Sequence, residues 1–308
     1  MMIIRILTCL LLLAIFMYCF VIAMKTRKLI YKMTHPTKFN YEINTKTPYT
    51  YKKFDFITRD GIKLSGIDYQ PKTACKGTIL VFHFLGGSKE AILMFVDFLL
   101  MNGYRILSFD NRNHGESDTA KKIKVNLRMD LNAFYEKIKS MGIEGPFGAM
   151  GFSMGATQAF WAMDEYDDIK AVVIDSGPLI YVKKYFNYVL NIKKIKNPVC
   201  RAAFLFVFLH YIGFTRMSKK TINVLKNLNG KNVLMIHGEK DNIITLENAK
   251  LAYELVKSNN ASIWLVPHSR HLTNKYLKPK EYEERIVEFF NKNIAVELNY
   301  EKNSSNIS

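Results

Sequence analysis

One short stretch of this sequence has the residue types of a nucleophilic site. Residues 151–155 are G-F-S-M-G, a G-x-S-x-G pattern in which a tight strand-to-helix turn exposes the hydroxyl of the serine. An apolar segment, residues 147–152, precedes Ser153, and apolar residues at helical spacing follow it. Small residues must flank such a turn because its backbone is strained. This context predicts a nucleophile elbow with Ser153 at its apex, and a Gly/Ser loop without chemistry is the alternative.

The rest of the chain supplies elements that can carry this turn. Alternating segments on both sides of an Asp-Gly turn, residues 51–58 and 62–69, predict an antiparallel hairpin. Near-continuous apolar runs predict buried parallel strands at 77–84, 104–109, 147–152, 170–174, 233–236 and 262–266. Helical spacing predicts a helix after the elbow and others at 90–101, 122–141, 246–257 and 282–293. This alternation indicates an α/β fold, with a mostly parallel sheet and helices on both faces.

The stretch from Tyr181 to Lys231 interrupts this alternation. It is rich in Lys and Arg, contains no Asp or Glu, and has an apolar, aromatic run at Ala202–Leu209. That run is too short to span a membrane but suits a buried or interfacial helix. An insertion of about fifty residues between two strands, rich in helix formers, indicates a helical cap over the carboxyl ends of the strands.

The chain begins with an apolar run, Ile6–Met24, that has no charged residue and about the length of a bilayer core. Basic residues are denser after this run than before it, which favours the cytoplasmic side for the chain that follows. A cleavable signal peptide with small residues at Val21 and Ala23 is the alternative, although the run is long for that role. We expect an uncleaved, single-pass membrane anchor with a basic flank over residues 1–33 and a polar linker over 34–48.

Composition limits the classes of partner. The 308-residue chain is 49% hydrophobic and 23% charged, which is typical of a globular protein with a sizeable core. Its net charge of +17 favours an anionic surface, either membrane lipid or nucleic acid. No zinc-finger spacing, aromatic RNA-binding signature or phosphate-binding loop supports nucleic acid. The four cysteines form no C-x-x-C pair and indicate neither a metal site nor a disulfide framework. We therefore expect a membrane as partner and no nucleic acid.

Four motifs occur in the order that they have in the α/β-hydrolase superfamily. They are H-F-L-G-G at 83–87, D-N-R-N-H-G-E-S at 110–117, the elbow at 151–155 and H-G-E-K-D at 237–241, with a late histidine, His271, after the last predicted strand. Over about residues 50–294 the chain resembles that superfamily, in particular its membrane-anchored serine hydrolases and its serine-aminopeptidase-like esterase and lipase branch. The resemblance implies a hydrolase domain over 49–296, a cap insertion over about 180–231 and a polar C-terminal tail over 297–308.

The resemblance also implies a catalytic triad. Ser153 is the expected nucleophile, which needs a base to take its proton. His271 is the expected base, because imidazole changes protonation near neutral pH. Asp241 is the expected acid, which fixes the tautomer of the histidine. The alternatives are His268 for the base and Asp175 or Glu239 for the acid.

The same resemblance implies an oxyanion hole made by the backbone N–H groups of Met154 and Leu85. Phe84 stands where the superfamily usually has glycine, and we expect a reshaped loop there because phenylalanine does not readily take a positive φ. Asn113 replaces another usual glycine, a milder change because asparagine tolerates the left-handed region. The resemblance gives Asp110 and His114 structural roles.

Together these features predict a serine hydrolase that cleaves carboxylic ester or thioester bonds through an acyl-serine intermediate, with no cofactor and no metal. The apolar, aromatic cap suits a small-molecule or lipid-like acyl substrate, and its lysines suit an anionic membrane surface. A peptidase of the aminopeptidase-like branch is one alternative, although the cap has no carboxylate to hold the amino terminus of a substrate. A non-catalytic hydrolase fold that serves as a membrane scaffold is the other.

Overall fold

A computed structural model describes residues 2–38, 41, 49–121, 126–211, 214–228, 230–256 and 260–295, with the backbone alone for 207–211 and 214–218. The strands are β1 (Tyr49–Ile57), β2 (Lys63–Pro71), β3 (Gly77–Phe82), β4 (Tyr104–Phe109), β5 (Phe147–Phe152), β6 (Ile169–Asp175), β7 (Asn232–Gly238) and β8 (Ala261–Val266). The helices are α1 (Met2–Thr34), α2 (Leu93–Met101), α3 (Leu127–Ser140), α4 (Met154–Glu165), α5 (Val182–Ile192), α6 (Pro198–Tyr211), α7 (Phe214–Asn227), α8 (Leu246–Val256), α9 (Asn274–Leu277) and α10 (Pro279–Asn293).

The strands form one eight-stranded sheet in the order β1-β2-β4-β3-β5-β6-β7-β8. The predicted hairpin is β1 and β2, which pair antiparallel, and β2 also pairs antiparallel with β4. The remaining neighbours are parallel. Parallel strands place their carboxyl ends at one edge of the sheet, so the loops after β3, β5, β6, β7 and β8 meet there. The predicted mostly parallel α/β fold is confirmed.

Helices cover both faces of the sheet, as predicted. On one face, α3, α4, α7 and α8 bury side chains such as Phe134 and Phe160 against the strands. On the other face, α2 and α10 do the same with Phe98, Ile286 and Phe290. Removing each large apolar side chain from water contributes about 1.5–3 kcal/mol. These two cores hold the strand ends, and therefore the loops that follow them, in fixed positions.

Some element boundaries differ from the sequence prediction. Helix α3 begins at Leu127, because the side chain of Asn126 accepts a hydrogen bond from the backbone N–H of Met129 and caps the first turn. Helix α10 begins at Pro279, three residues before the predicted start, where proline suits a first turn. Residues 122–125, the tail at 297–308 and most of the predicted linker lie outside the described residues.

Helices α5, α6 and α7 lie between β6 and β7, in the stretch where a cap is predicted. Helix α7 adds Val224 and Leu225 to the core on the sheet. Helix α5 is amphipathic and buries a separate stripe at Val182, Phe186 and Leu190. The spacing of four residues places these three side chains on one helical face, which packs against α6 and α1.

Helix α1 has two unlike parts. The side chains of residues 2–21 are all exposed, although nearly all of them are apolar. The later part buries Ile22, Thr26, Ile30 and Thr34, a stripe with a spacing of four residues. In the part of the chain that the structure describes, α1 is one helix that is long and apolar enough to cross a membrane, a property that signal sequences share.

Candidate active site

Ser153 lies at the turn between β5 and α4, where it has φ +51° and ψ −104°. A residue with a side chain rarely takes this conformation, and such strain is typical of functional turns. The glycines on either side permit it because a methyl group on Gly151 would overlap the carbonyl group of Gly155, and one on Gly155 would overlap the carbonyl group of Phe82. The local sequence therefore builds the elbow predicted for it.

The structure brings Ser153, His271 and Asp241 together from three separate loops. The Nε2 atom of His271 is 2.9 Å from the Oγ atom of Ser153. Its Nδ1 atom is 2.6 Å from Oδ2 of Asp241. The Asp241 side chain is fully buried, whereas that of His271 is 12% exposed. In this geometry Nδ1–H donates to Asp241, which leaves Nε2 free to accept the proton of the serine hydroxyl.

Asp241 follows β7 and is held by its own turn. Its Oδ1 atom accepts hydrogen bonds from the backbone N–H groups of Ile243 and Ile244, each at 2.9 Å. His237, at the end of β7, donates from Nε2 to the carbonyl oxygen of Ile244 at 2.9 Å. These bonds fix the carboxylate with its second oxygen directed at His271, which is the orientation that a triad acid requires.

Asp175, the alternative acid, has a different set of partners. Its buried carboxylate accepts hydrogen bonds at 2.7–2.8 Å from the side chains of Ser176, Asn274 and Tyr282. Burial raises its pKa. The Oγ atom of Ser176 in turn accepts a hydrogen bond at 3.1 Å from the backbone N–H of Leu272, the residue after His271. Asp175 therefore anchors the loop that carries the histidine and is not itself bonded to the imidazole.

The remaining alternatives lie away from the serine. His268 is exposed and has a positive φ of 61°. Glu239 is also exposed and takes part in the structure through its backbone N–H, which donates to the carbonyl oxygen of Val266. Among the described contacts, neither side chain is bonded to Ser153 or His271.

The loop after β3 presents the second expected oxyanion donor. The carbonyl oxygen of Phe84 accepts hydrogen bonds from Nδ1 of His83 at 2.7 Å and from the backbone N–H of Gly87 at 2.9 Å. Because the N–H of Leu85 lies opposite that carbonyl in the same planar peptide, its direction is fixed as well. The backbone N–H groups of Leu85 and Met154 have no partner among the described residues, so both are free to donate.

Phe84 fits this loop without a positive φ. The left-handed position is Gly86, with φ +82°, and the Phe84 ring packs edge-on against Phe95 at 5.8 Å between centroids. His83 is fully buried, and burial lowers its pKa to about 4. The imidazole is therefore neutral at pH 7, with Nδ1–H donating to Phe84 and Nε2 accepting from the backbone N–H of Asn111 at 3.0 Å.

His114 reaches the same site from the loop after β4. Burial lowers its pKa to about 3, so it is neutral, and Nδ1 donates to the carbonyl oxygen of Arg112 at 2.9 Å. Its Nε2 atom is buried and has no partner among the described residues. A buried acceptor of this kind is usually satisfied by water or by a ligand. Asn113, next to it, takes φ +70° as asparagine tolerates.

A cavity of about 430 Å³ opens beside Ser153, within the about 300–1,000 Å³ of small-molecule sites. Its lining is mainly apolar and comes from α1, from α5, from the first turns of α3 and α4, and from the loops at the carboxyl edge of the sheet. It consists of Met33, Thr34, Phe84, Leu85, His114, Leu127, Ser153, Met154, Thr157, Leu179, Tyr185, Tyr188, Val189, Ile243, Ile244, His271 and Leu272. None of these lining residues is Asp or Glu, and no cluster of described residues fits a metal ion.

Comparisons with known proteins agree with the fold. Residues 77–192 match a family described as the alpha/beta hydrolase fold. The esterase Pf2001 of Pyrococcus furiosus superposes with a TM-score of 0.68 at 25% identity, over 84% of this chain and 100% of that structure. This chain has the α/β-hydrolase fold. An esterase of the same fold from an Arctic intertidal metagenomic library superposes with a TM-score of 0.59 at 14% identity, over 84% of this chain and all of that one.

A curated relative of this α/β hydrolase is a thiohydrolase, AneE, of Aspergillus aculeatus. The two chains are 28% identical over 138 residues. The match spans 42% of this chain and 42% of the length of that protein.

Two groups of site residues in this α/β hydrolase were not found from the sequence. The pair Met33 and Thr34 lines the cavity from the N-terminal helix, about 50 residues before the next lining loop, which carries Phe84 and Leu85. The anchors of the histidine loop, Ser176 and Asn274, are ordinary polar residues in the sequence. For α1 the one available signal was the recurrence of apolar or small residues every four positions from Ile22 onwards.

Proposed function

We propose that this protein is a serine hydrolase that cleaves carboxylic ester or thioester bonds of lipid-like or acylated substrates. The observation that carries the proposal is the hydrogen-bonded array of Ser153, His271 and Asp241 at the mouth of an apolar cavity. Similarity to an esterase and to a thiohydrolase supports the ester and thioester classes. Esterase and thiohydrolase are the names of those relatives, and the cleavage of an ester or thioester bond by this protein is our proposal.

In the acylation step, Ser153 Oγ attacks the carbonyl carbon of the substrate while His271 Nε2 takes the hydroxyl proton. Asp241 stabilises the imidazolium that forms. The negative charge that develops on the carbonyl oxygen is bound by the N–H groups of Leu85 and Met154. As the tetrahedral intermediate collapses, the bond to the leaving oxygen or sulfur breaks, and His271 returns its proton to that atom.

In the deacylation step, water takes the place of the leaving group. His271 removes a proton from the water, and the resulting hydroxide attacks the carbonyl carbon of the acyl-serine. The same two backbone N–H groups stabilise the second oxyanion. When the bond to Ser153 Oγ breaks, His271 gives the proton back to the serine, and the free acid leaves. No cofactor enters this sequence of steps.

The proposal includes the placement of the protein. Residues 1–33 form an uncleaved single-pass anchor with a basic flank, and residues 49–296 form the hydrolase domain, with a cap over about 180–231. The full exposure of the apolar side chains between residues 2 and 21 supports the anchor, because a soluble protein rarely exposes so large an apolar surface. The basic residues that follow the apolar run support the cytoplasmic side for the catalytic domain.

The lining of the cavity favours an ester or thioester over a peptide. An aminopeptidase-like enzyme holds the ammonium group of its substrate with a carboxylate, and the lining includes none. Apolar and aromatic side chains on α5, such as Tyr185 and Val189, suit an acyl chain instead.

The test combines an activity probe with a substrate panel. A fluorophosphonate probe should label the wild-type protein and leave Ser153→Ala unlabelled, since the probe reacts with an activated serine. The Ser153→Ala substitution should also lower kcat by about 10⁶-fold on the preferred substrate. A panel of oxygen esters, thioesters and aminoacyl amides of several chain lengths then identifies the bond and the acyl group. Equal labelling of both proteins would reject the serine mechanism.

A further inference from the structure

We propose that the last turn of α1 is the wall that selects the acyl chain, and that the substrate is a lipid with a long acyl chain held in the same bilayer as α1. This inference rests on the proposed hydrolase function and adds a substrate class and specificity residues to it. The specificity residues are Met33 and Thr34, which line the cavity that contains Ser153 and His271.

The wall is built where α1 meets the cap. Met33 packs against the apolar cluster that α1 forms with α5 and α6, and Tyr185 and Val189 of α5 pack on the same cluster. All three of these side chains also line the cavity. One side of the cavity is therefore made by α1 and the side next to it by α5, so a chain that lies in this part of the cavity contacts both.

The last turn of α1 is fixed to the catalytic domain by hydrogen bonds. The side-chain amide of Asn113 donates to the carbonyl oxygen of Thr34 at 2.9 Å and accepts from the backbone N–H of Ala120 at 2.7 Å. His35 donates from Nε2 to the carbonyl oxygen of Ala120 at 2.9 Å. Because Asn113 is adjacent to His114, which lines the cavity, the helix end and the site share one loop. Asn113, which replaces a glycine usual in the superfamily that this chain resembles, therefore holds the end of α1.

Helix α1 also continues without a break from the apolar run to the wall. Met33 is nine residues after Met24, which corresponds to about 14 Å along a helix. The connecting turns bury Thr26 and Ile30, of which Ile30 packs against the cap, and expose the basic residues Lys25, Arg27, Lys28 and Lys32. Basic residues at this position lie among lipid headgroups in a membrane protein. The cavity wall is thus within the reach of an acyl chain from the adjoining leaflet.

The cap contacts α1 within the apolar run, residues 6–24. The side chain of Asn197, just before α6, donates to the hydroxyl oxygen of Tyr18 at 3.2 Å. Ile30 of α1 packs with Phe186 of α5 and Phe204 of α6. The cap therefore extends to a residue that lies inside the apolar run, which places this edge of the enzyme against the bilayer. A lipid is the substrate chemistry that such a position supplies.

The experiment changes the size of the wall after the protein has folded. Full-length Met33→Cys in detergent micelles is treated with methanethiosulfonates that carry methyl, butyl or octyl groups, and kcat/KM is measured for p-nitrophenyl butyrate and palmitate. The control is Lys32→Cys, an exposed neighbour on the same helix. The wild type, which has exposed Cys9, Cys19 and Cys75, is treated in the same way. Mass spectrometry establishes the extent of modification.

The expected result is a loss of at least tenfold in kcat/KM for palmitate after butyl modification of Met33→Cys, with butyrate within threefold and recovery on reduction. The wild type and Lys32→Cys should change by less than twofold. A second variant, Met33→Trp, should give the same selective loss without reagent. Equal losses for both esters, or no loss for either, would overturn the inference.

A binding measurement separates this inference from the proposed function. Ser153→Ala should retain the wall, so it should bind a fluorescent long-chain fatty acid, and Met33→Trp in the same background should weaken that binding at least tenfold. If wild type hydrolyses both esters and Ser153→Ala neither, the proposed function holds whatever Met33 does. If binding depends on Met33 but no ester is cleaved, the wall is supported and the proposed function fails.

Discussion

Two regions of the molecule are held together by different forces. One is the carboxyl edge of the sheet, called the catalytic edge because the proposed triad of Ser153, His271 and Asp241 lies there, and the other is the junction of α1 with the cap. At the catalytic edge, Asp241 and Asp175 each accept three hydrogen bonds from specific groups. At the junction, Ile30, Phe186 and Phe204 form an apolar cluster. The described members of that cluster make contact through aliphatic and aromatic side chains and not through paired charges.

This difference separates the reaction from the choice of substrate. A hydrogen bond weakens steeply with distance and angle, so a network of such bonds fixes reacting atoms closely. Apolar packing depends on area and volume and tolerates swaps of similar size. We therefore expect changes at the catalytic edge to affect all substrates alike, and changes at the junction to affect long acyl chains selectively.

After Ser153→Ala, the largest expected effect comes from replacing each of the two buried aspartates separately with asparagine. Asp241→Asn should lower kcat by about 10⁴-fold, because it removes the acceptor that fixes the tautomer of His271. Its melting temperature should change little. Asp175→Asn should lower the free energy of unfolding by about 1–3 kcal/mol, since a buried donor loses its acceptor, with a much smaller loss of kcat. If the two variants showed the reverse pattern, Asp175 would be the triad acid.

A smaller effect is expected at the oxyanion loop. Leu85→Pro removes one backbone N–H and should lower kcat by about 10²–10³-fold for short and long esters alike. Leu85→Ala keeps the N–H and serves as the matched control, with kcat for butyrate within about threefold of wild type. Steady-state kinetics on both esters, with a melting curve for each variant, make the measurement. A large loss in Leu85→Ala would place the role in the side chain instead.

The buried histidines of the catalytic edge predict a pH dependence of stability. Burial lowers the pKa of His83 to about 4 and that of His114 to about 3, below the value of about 6.5 in an unfolded chain. As pH falls below 6.5 the unfolded chain binds protons that the folded chain does not. The free energy of unfolding should therefore fall by up to about 1.4 kcal/mol per pH unit for each histidine.

Thermal unfolding of the full-length protein in detergent between pH 7.5 and 5 measures this slope. His114→Asn should reduce the slope by up to about 1.4 kcal/mol per pH unit, because one titrating group is gone while His83 and His237, whose pKa values burial also lowers, remain. The described members of the α1–cap cluster include no group that titrates in this range, so Phe186→Leu should shift stability without altering the slope. A slope unchanged by His114→Asn would show that this imidazole is protonated in the folded protein.

The smallest effect on catalysis is expected from removing residues 2–21, the exposed part of α1. The buried stripe of Ile22, Thr26, Ile30 and Thr34 remains, so kcat/KM for butyrate should stay within about twofold of wild type. The protein should move from the membrane to the soluble fraction, since most of the apolar run that we propose as the membrane anchor is lost. Fractionation and N-terminal sequencing make the measurement. A mature wild-type chain that begins near Met24 would instead indicate a cleaved signal peptide.

Much of the fold followed from the sequence because its signals are local. Apolar runs such as residues 77–82 and 104–109 are found from hydrophobicity alone, since buried parallel strands need apolar side chains on both faces. The elbow followed from two glycines, because the strained turn at Ser153 leaves room for nothing larger. Helix ends were predicted less closely, as at the start of α3, because a single cap such as Asn126 decides where a helix begins.

The choice among acids and histidines was the part that spacing could not decide. Asp175 and Asp241 both lie at or just after the carboxyl end of a buried strand, and both are buried. What distinguishes them is the set of groups around each carboxylate, which comes from loops far apart in the chain. Only the folded sheet places His271 within hydrogen-bond distance of Asp241 and gives Asp175 to Asn274 and Tyr282.

The sequence by itself therefore determined the strands and helices, the nucleophile elbow and the residue types available to a serine hydrolase, because each depends on neighbours in the chain. The tertiary structure decided which polar residues meet and that Met33 reaches the cavity. That contact joins α1 to loops about 50 and about 80 residues away and to a cap about 150 residues away. Its energy comes from burial of apolar area, which has no direction and leaves no specific pattern in the sequence.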